Sequence, residues 1–245
     1  MDLQSRVQEL KQSTIPEHVA IIPDGNGRWG TSRGMSRTEG HEKGAEVSEQ
    51  LIEFVSANLP VEVLTFYTFS TENWARPDPE VKFLMNLLKQ FLQAKESKLN
   101  DQNIKFSFIG DLEPIPPKTA QMVQKVTKST AGNDGLHLVM ALNYGGRQEI
   151  LHCTRSLIEE AEKGALRKED LTEETFSSHL YTAAIPDPDL LIRTSGEIRI
   201  SNFLLWQLAY AEFWTTETLW PDFTPEKLLD ALKDYQGRDR RFGTV

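Results

Sequence analysis

The chain has 245 residues, 39% hydrophobic and 26% charged, the balance of an ordinary globular protein long enough to bury a sizeable core. Its net charge of −9 excludes a general nucleic-acid binder, which needs a basic face, but leaves room for a few arginines around one cleft. The one cysteine, Cys153, excludes an intramolecular disulfide and suits a reducing compartment.

The opening MDLQSRVQELKQS lacks the apolar run of a signal peptide. No stretch approaches the roughly 18 apolar residues of a membrane span. A cytoplasmic protein, at most peripheral to a membrane, is therefore expected. Residues 1–17 read as a helical segment ahead of one domain over 18–245, since no repeat or Gly/Ser linker divides the chain.

His18–Ile22 (HVAII) reads as a buried strand. Arg37–Asn58 reads as a helix, with Val47, Leu51 and Val55 at helical spacing. Val61–Phe69 reads as a second strand. Glu80–Leu99 is an amphipathic helix, with Val81, Leu84, Leu88 and Phe91 on one face and Phe83, Leu87 and Leu92 in a second apolar row. Further strands are expected at Ile104–Ile109, Leu136–Leu142 and Leu190–Arg193, and further helices at Pro117–Ser129, Arg147–Lys163 and Glu173–Tyr181. Phe203–Tyr210 is too apolar for a surface loop. This alternation predicts an α/β fold with a mostly parallel sheet, and such sheets bind ligands beyond the carboxyl ends of their strands.

The polar motifs fall mainly there. Asp24-Gly25-Asn26-Gly27-Arg28-Trp29 follows the first strand. Gly25, Gly27 and Gly30 match G-x-G-x-x-G, but Asp24 would repel a pyrophosphate and no ribose-binding carboxylate ends a strand about 20 residues on. Glycines let backbone N–H groups approach an anion, and Arg28 adds a positive fork. A carboxylate beside a diphosphate suits Mg²⁺. A tight turn with a solvated aspartate is the alternative. Arg37 and His41, at i and i+4, can reach one phosphate or simply open an exposed helix. Ser70-Thr71-Glu72-Asn73-Trp74-Ala75-Arg76 closes the second strand with site-like chemistry. Arg193, Arg199 and Ser201, around a Gly turn, suit a diphosphate clamp, or else a salt-bridge network with nearby Asp and Glu. Glu212, in an aromatic run, needs a cation or an arginine. His18, His137, His152 and His179 show no metal-ligand spacing, Cys153 lies within a helix, and Trp206, Trp214 and Trp220 suit a core or an interface.

With these residues in view, the chain strongly resembles the cis-prenyltransferases, the undecaprenyl diphosphate synthase family. The resemblance rests on HVAIIPDGNGRWG with RGMSRTEGHEKG, TFSTENWARPDPEVKFLM, LNYGGRQEI, LIRTSGEIRISNFLLWQLAYAEF with LWPDF, and RDRRFG, which run from residue 18 to 243. It implies a single domain with a six-stranded, mainly parallel sheet flanked by helices, an apolar product tunnel and a homodimer. It further implies that isopentenyl diphosphate is joined to an allylic diphosphate such as farnesyl diphosphate, with Mg²⁺ as cofactor. Asp24 matches the family's metal-binding aspartate, and Gly25, Asn26, Gly27, Arg28 and Trp29 its phosphate loop. Arg37 and His41 match further allylic contacts. Ser70, Thr71, Glu72, Asn73, Trp74 and Arg76 match a substrate segment in which Asn73 is linked to proton removal. Arg193, Arg199, Ile200 and Ser201 match the homoallylic clamp, and Glu212 the second metal-linked carboxylate.

Two residues depart from the family pattern. Pro23 replaces the usual methionine and removes a backbone donor. Thr68 replaces a small alanine on a strand that lines the family's tunnel, so a shortened product is one expectation. Undecaprenyl diphosphate for the cell-wall carrier lipid is the main one. A short-chain or irregular synthase and a non-catalytic partner subunit stand as alternatives, although such subunits usually lose the aspartate that this chain keeps at Asp24.

Overall fold

A computed structural model describes residues 2–238. Most of the RDRRFG stretch therefore lies outside the described residues. Six strands, β1 (His18–Ile22), β2 (Val63–Ser70), β3 (Lys105–Ile109), β4 (His137–Tyr144), β5 (Leu190–Arg193) and β6 (Glu212–Thr215), form one sheet in the order β3-β4-β2-β1-β5-β6. Every neighbouring pair is parallel. β1 and β5 are buried along their whole length, which is why they read as unbroken apolar runs.

Successive side chains alternate across the sheet, so its two faces feed two cores. Val19 and Ile21 join the larger core with helices α3 (Arg37–Asn58), α4 (Asp78–Asp101), α5 (Pro117–Ser129) and α8 (Pro225–Gln236). Ala20 and Ile22 join the smaller one with Phe203, Leu204 and Leu208. Helix α1 (Leu3–Leu10) contributes Val7 and Leu10 to the larger core and is tied to α8 by Arg6–Asp230 and Lys233–Glu9 pairs, both 2.7 Å.

Local chemistry sets the helix starts nearest the site. Ser36 and Glu39 form a reciprocal capping box at α3. A proline and the acidic Asp78 and Glu80 fill the first turn of α4, where the helix dipole favours negative charge.

Four elements differ from the sequence reading, α8 being a helix with no counterpart there. Residues Asn26–Ser32 form a short helix, α2, where only a loop is expected. β6 is a four-residue edge strand hidden in an aromatic run without turn residues. After α6 (Gly146–Glu162), the next helix, α7 (Glu173–Ser177), stops four residues before Tyr181, whose N–H is taken by the Glu149 carboxylate at 2.9 Å. Phe203–Tyr210 is turns rather than helix or strand, yet Phe203, Leu204 and Leu208 are buried. No helix among the described residues is long and apolar enough to cross a membrane.

The polar residues set aside in the sequence are accounted for. His18 Nδ1 donates to the Pro186 carbonyl (2.6 Å), leaving Nε2 to accept from the Thr65 hydroxyl (2.7 Å). Burial lowers its pKa to about 4. Cys153 is buried in α6, where desolvation pushes its thiol up to about 11. Trp220 is buried and donates to the Gly44 carbonyl at 2.9 Å.

Candidate active site

β1 lies between β2 and β5, so the loops leaving the carboxyl ends of these three strands converge. Ile22 sits opposite Arg193, Asp24 comes two residues later, and Ser70 ends β2. A cleft of about 810 Å³ opens there. It is lined by Asp24 to Arg28, Arg37, His41, Ser70, Glu72, Asn73, Arg76, Arg193, Arg199 and Ser201.

Arg193 is the pivot and is only 4% exposed. Its Nη2 meets Asp24 Oδ2 at 2.8 Å, and its Nη1 donates to Ser201 Oγ at 2.7 Å and to the Arg199 carbonyl. Its Nε is buried without a partner. Burial alone would raise the Asp24 pKa. The Arg193 hydrogen bond and charge, the Gly25 N–H at 2.7 Å and Arg28 outweigh it, so Asp24 lies below the ordinary carboxylate value and is ionised at neutral pH. Thr194 fixes the backbone beside it: its hydroxyl accepts from the Asp24 N–H (2.9 Å) and donates to the Asp24 carbonyl (2.7 Å).

Gly25 turns the chain with φ at +102°, a region that favours glycine. The first-turn N–H groups of α2 have no acceptor within the helix. A Cβ on Gly27 would lie 2.6 Å from Arg37 Nη1, so the bare glycine lets that guanidinium approach the loop.

The arginines around the cleft are met by carboxylates. Glu197 pairs with Arg28 at 3.5 Å and with Arg199. Glu80 holds Arg76 at 2.9 Å and Arg37 at 3.3 Å, with His41 Nε2 3.8 Å away. Burial and the Arg76 charge push His41 down to about 4, so it is neutral at pH 7. The salt-bridge network, one of the two readings of these arginines, is thus present around the cleft. Glu80 escaped notice in the sequence, although its i,i+4 spacing from Arg76 at a helix start was a usable signal.

Five expected residues do not line the cleft. Trp29 Nε1 donates to Asp222 at 2.7 Å, and its ring lies under Arg33. Trp74 Nε1 donates to Asn143 at 2.8 Å and its ring packs against Phe69, bracing the segment rather than facing the opening. The Thr71 hydroxyl is buried without a partner. Ile200 packs against the smaller core.

Glu212 is the fifth residue outside the cleft lining. It begins β6 opposite Leu190, which is opposite Val19, three residues before Ile22. At about 3.3 Å per residue this is roughly 10 Å short of the strand ends. Its carboxylate pairs with Arg238 at 2.7 Å. Within one chain this register sets Glu212 apart from Asp24. No group of three or more His, Cys, Asp or Glu converges among the described residues. Asp24 by itself fits a Mg²⁺ ion that takes its other ligands from substrate phosphates and water, a common arrangement for that ion.

Behind the polar cleft lies an apolar cavity of about 120 Å³. α4 supplies Leu84, Met85, Leu87, Leu88 and Phe91, and α3 supplies the small Gly44, Ala45 and Ser48. Pro23, Asn26, His41, Thr68 and Leu84 line both spaces.

An arginine-rich cleft thus adjoins an apolar cavity. The family model described as "Putative undecaprenyl diphosphate synthase" matches residues 22–243. An isoprenyl transferase from Bacillus anthracis is 50% identical over 239 residues, 98% of this chain and 92% of that protein. One from Geobacter sulfurreducens is 48% identical over 229 residues, 94% and 93% of the two chains. Among solved structures, lavandulyl diphosphate synthase from Lavandula x intermedia, in complex with dimethylallyl diphosphate, superposes with a TM-score of 0.91 at 41% identity, covering 94% of this chain and 98% of its own. A probable undecaprenyl diphosphate synthase from Campylobacter jejuni gives 0.78 at 31%, covering 94% and 100%. The chain belongs to the undecaprenyl diphosphate synthase family of cis-prenyltransferases and is an isoprenyl transferase.

Proposed function

We propose that the protein condenses isopentenyl diphosphate with an allylic diphosphate, farnesyl diphosphate first among them, to a long cis-polyprenyl diphosphate of the undecaprenyl type that carries cell-wall sugars. The observation that carries this reading is the shared wall of cleft and cavity. A diphosphate held by charged groups has its tail pointed at Thr68, Leu84 and then Phe91. On this reading the cavity is the start of the product tunnel.

The reaction breaks the allylic C–O bond, releasing inorganic diphosphate. The allylic carbon bonds to the terminal carbon (C4) of the isopentenyl double bond, positive charge forms at C3, and a proton leaves C2 to give the new cis double bond. The α2 N–H groups, Arg28 and Arg37 take the charge that gathers on the leaving diphosphate. Arg193, Arg199 and Ser201 hold the second diphosphate, so the two reacting carbons meet in a fixed orientation. Asn73, whose Oδ1 accepts from the Ser70 N–H at 3.1 Å, would orient the proton acceptor. Asp24 would hold Mg²⁺, which when bound neutralises diphosphate charge.

The proposal includes a homodimer, supported by Phe213, half exposed on the edge strand β6. It also includes a cytoplasmic location with peripheral membrane contact for release of the apolar product. A short-chain or irregular condensation is the second reading, favoured by Thr68 at the cavity mouth and by the similarity to lavandulyl diphosphate synthase. Radiolabelled isopentenyl diphosphate with farnesyl, geranyl or dimethylallyl primers, followed by chromatography, separates the two. Long products support the first reading. Products only one or two units beyond the primer, or branched ones, establish the second. No incorporation with any primer would reject both.

A further inference from the structure

The LNYGGRQEI stretch has no part in the chemistry above, yet its glycines are closely fitted. A Cβ on Gly145 would lie 2.3 Å from Gln148 Oε1, 2.6 Å from Asn202 Nδ2 and 2.8 Å from Thr71 Oγ1. One on Gly146 would lie 2.7 Å from Leu205. Real side chains do not approach so closely, so the turn is bare because other residues fill its space.

Asn202 is the centre of that filling, and it lines the cleft. Its side-chain carbonyl accepts from the Arg147 N–H at 2.9 Å. Its amide donates to Glu72 at 2.8 Å and to Gln148 at 3.2 Å. Its backbone carbonyl accepts from the Gly146 N–H at 2.7 Å. The surrounding backbone is unusual: Ser201, Asn202 and Leu204 have φ of 50°, 61° and 44°, the left-handed region that non-glycine residues seldom occupy. Asn tolerates it best of the three. Such conformations persist where the surroundings over-determine them, and they gather at functional sites. Here the Tyr67 hydroxyl also donates to the Ser201 carbonyl at 3.2 Å, and the Tyr67 ring stacks on Phe203 with centroids 4.4 Å apart.

We propose that Asn202 is a positioning residue that ties the Arg193–Ser201 clamp to the Glu72 segment across the bare Gly145–Gly146 turn, setting two parts of the cleft as one unit. The inference rests on the clamp's proposed role in binding a diphosphate. Ser201 lies beyond β5 and Glu72 beyond β2, with β1 between them. Neither can fix the other through the sheet alone. Asn202 reaches both, and it uses α6, none of whose residues lines the cleft, as its anchor. A misplacement of about 1 Å in such a constellation can cost a hundredfold in rate.

Binding of inorganic diphosphate to the full chain, measured by calorimetry, tests this without requiring turnover. Asn202→Gly keeps the left-handed backbone and removes the side chain. It is expected to bind diphosphate about tenfold more weakly, with its melting temperature within a few degrees of the wild type. Asn202→Asp, which preserves shape but sets a second carboxylate against Glu72, should weaken binding as well and covers the case in which the glycine variant does not fold. In a Glu72→Ala background, Asn202→Gly should lose most of its effect, because contacting residues are coupled. Unchanged binding in both Asn202 variants, an undiminished effect in the Glu72→Ala background, or no diphosphate binding by the wild type would overturn the proposal. Absence of condensation with diphosphate binding intact would strike the proposed reaction and leave this positioning role standing.

Discussion

The polar cleft and the apolar cavity share five lining residues but are built on opposite rules. In the cleft, carboxylates and arginines are matched: Asp24 with Arg193, Glu197 with Arg28 and Arg199, Glu80 with Arg37 and Arg76. Each arginine is held in place by a carboxylate, and on the proposed function it exchanges that anion for a phosphate. In the cavity nothing is matched. Long side chains of α4 face small ones of α3, and shape alone discriminates. Shape discrimination is weak, about 1–3 kcal/mol per methylene, whereas charge placement decides whether the reaction occurs. On the proposed function the two spaces divide the labour: reaction in the cleft, product length in the cavity.

The largest effect expected from breaking this division is that of Asp24→Ala. Loss of the carboxylate should lower kcat by about a thousandfold, at the upper end for one preorganised charge-stabilising group. The melting temperature should fall as well, because the buried Arg193 guanidinium loses its carboxylate partner, so kcat is compared at equal folded concentration. A kcat within tenfold of wild type would remove Asp24 from the chemistry.

His41, at the boundary of the two spaces, gives the next effect, and it is one of stability. Its folded pKa of about 4 is below its ordinary value of 6.5. As pH falls the unfolded chain therefore takes up the proton first, and folding stability is lost between pH 6.5 and about 4, by at most about 3 kcal/mol. Denaturant midpoints at pH 7 and pH 5 should show a smaller loss for His41→Gln than for the wild type. Equal losses would mean that His41 is not held neutral by its surroundings.

Arg193→Ala comes third. Charge-assisted hydrogen bonds of about 3 kcal/mol would be lost, so KM for isopentenyl diphosphate should rise about a hundredfold while KM for the allylic primer changes little. Equal increases for both substrates would merge the two halves of the cleft. The smallest effect on rate is that of Thr68→Ala, which enlarges the cavity mouth. Products should lengthen with kcat changed by about threefold or less, in keeping with the small worth of a methyl-sized change. An unchanged product distribution would take Thr68 off the path of the chain.

The sequence made the sheet legible where burial was continuous. HVAII and LLIR, buried on both faces, could only be inner strands. It hid β6, whose four residues alternate in burial within an aromatic run, and α2, whose two glycines and asparagine are poor helix formers held by tertiary contacts. The site divides similarly. Asp24, Ser70 and Arg193 lie at or just past strand ends, and topology delivers them to one place. Glu80, Glu197 and Asn202 matter through partners far away in sequence or conformation, and no spacing announced the full set. Glu212 shows the converse. A carboxylate in an aromatic run asks for a partner, but the run does not say which end of the strand it occupies. The partner is Arg238.

On the proposed function, Asp24 and the arginines around it make this chain a catalyst by itself. The most direct measurement is incorporation of labelled isopentenyl diphosphate onto farnesyl diphosphate by the purified protein with Mg²⁺, beside the Asp24→Ala variant. The account predicts steady extension by the wild type and almost none by the variant at the same folded concentration. Equal incorporation by both, or none by the wild type alone, would contradict it.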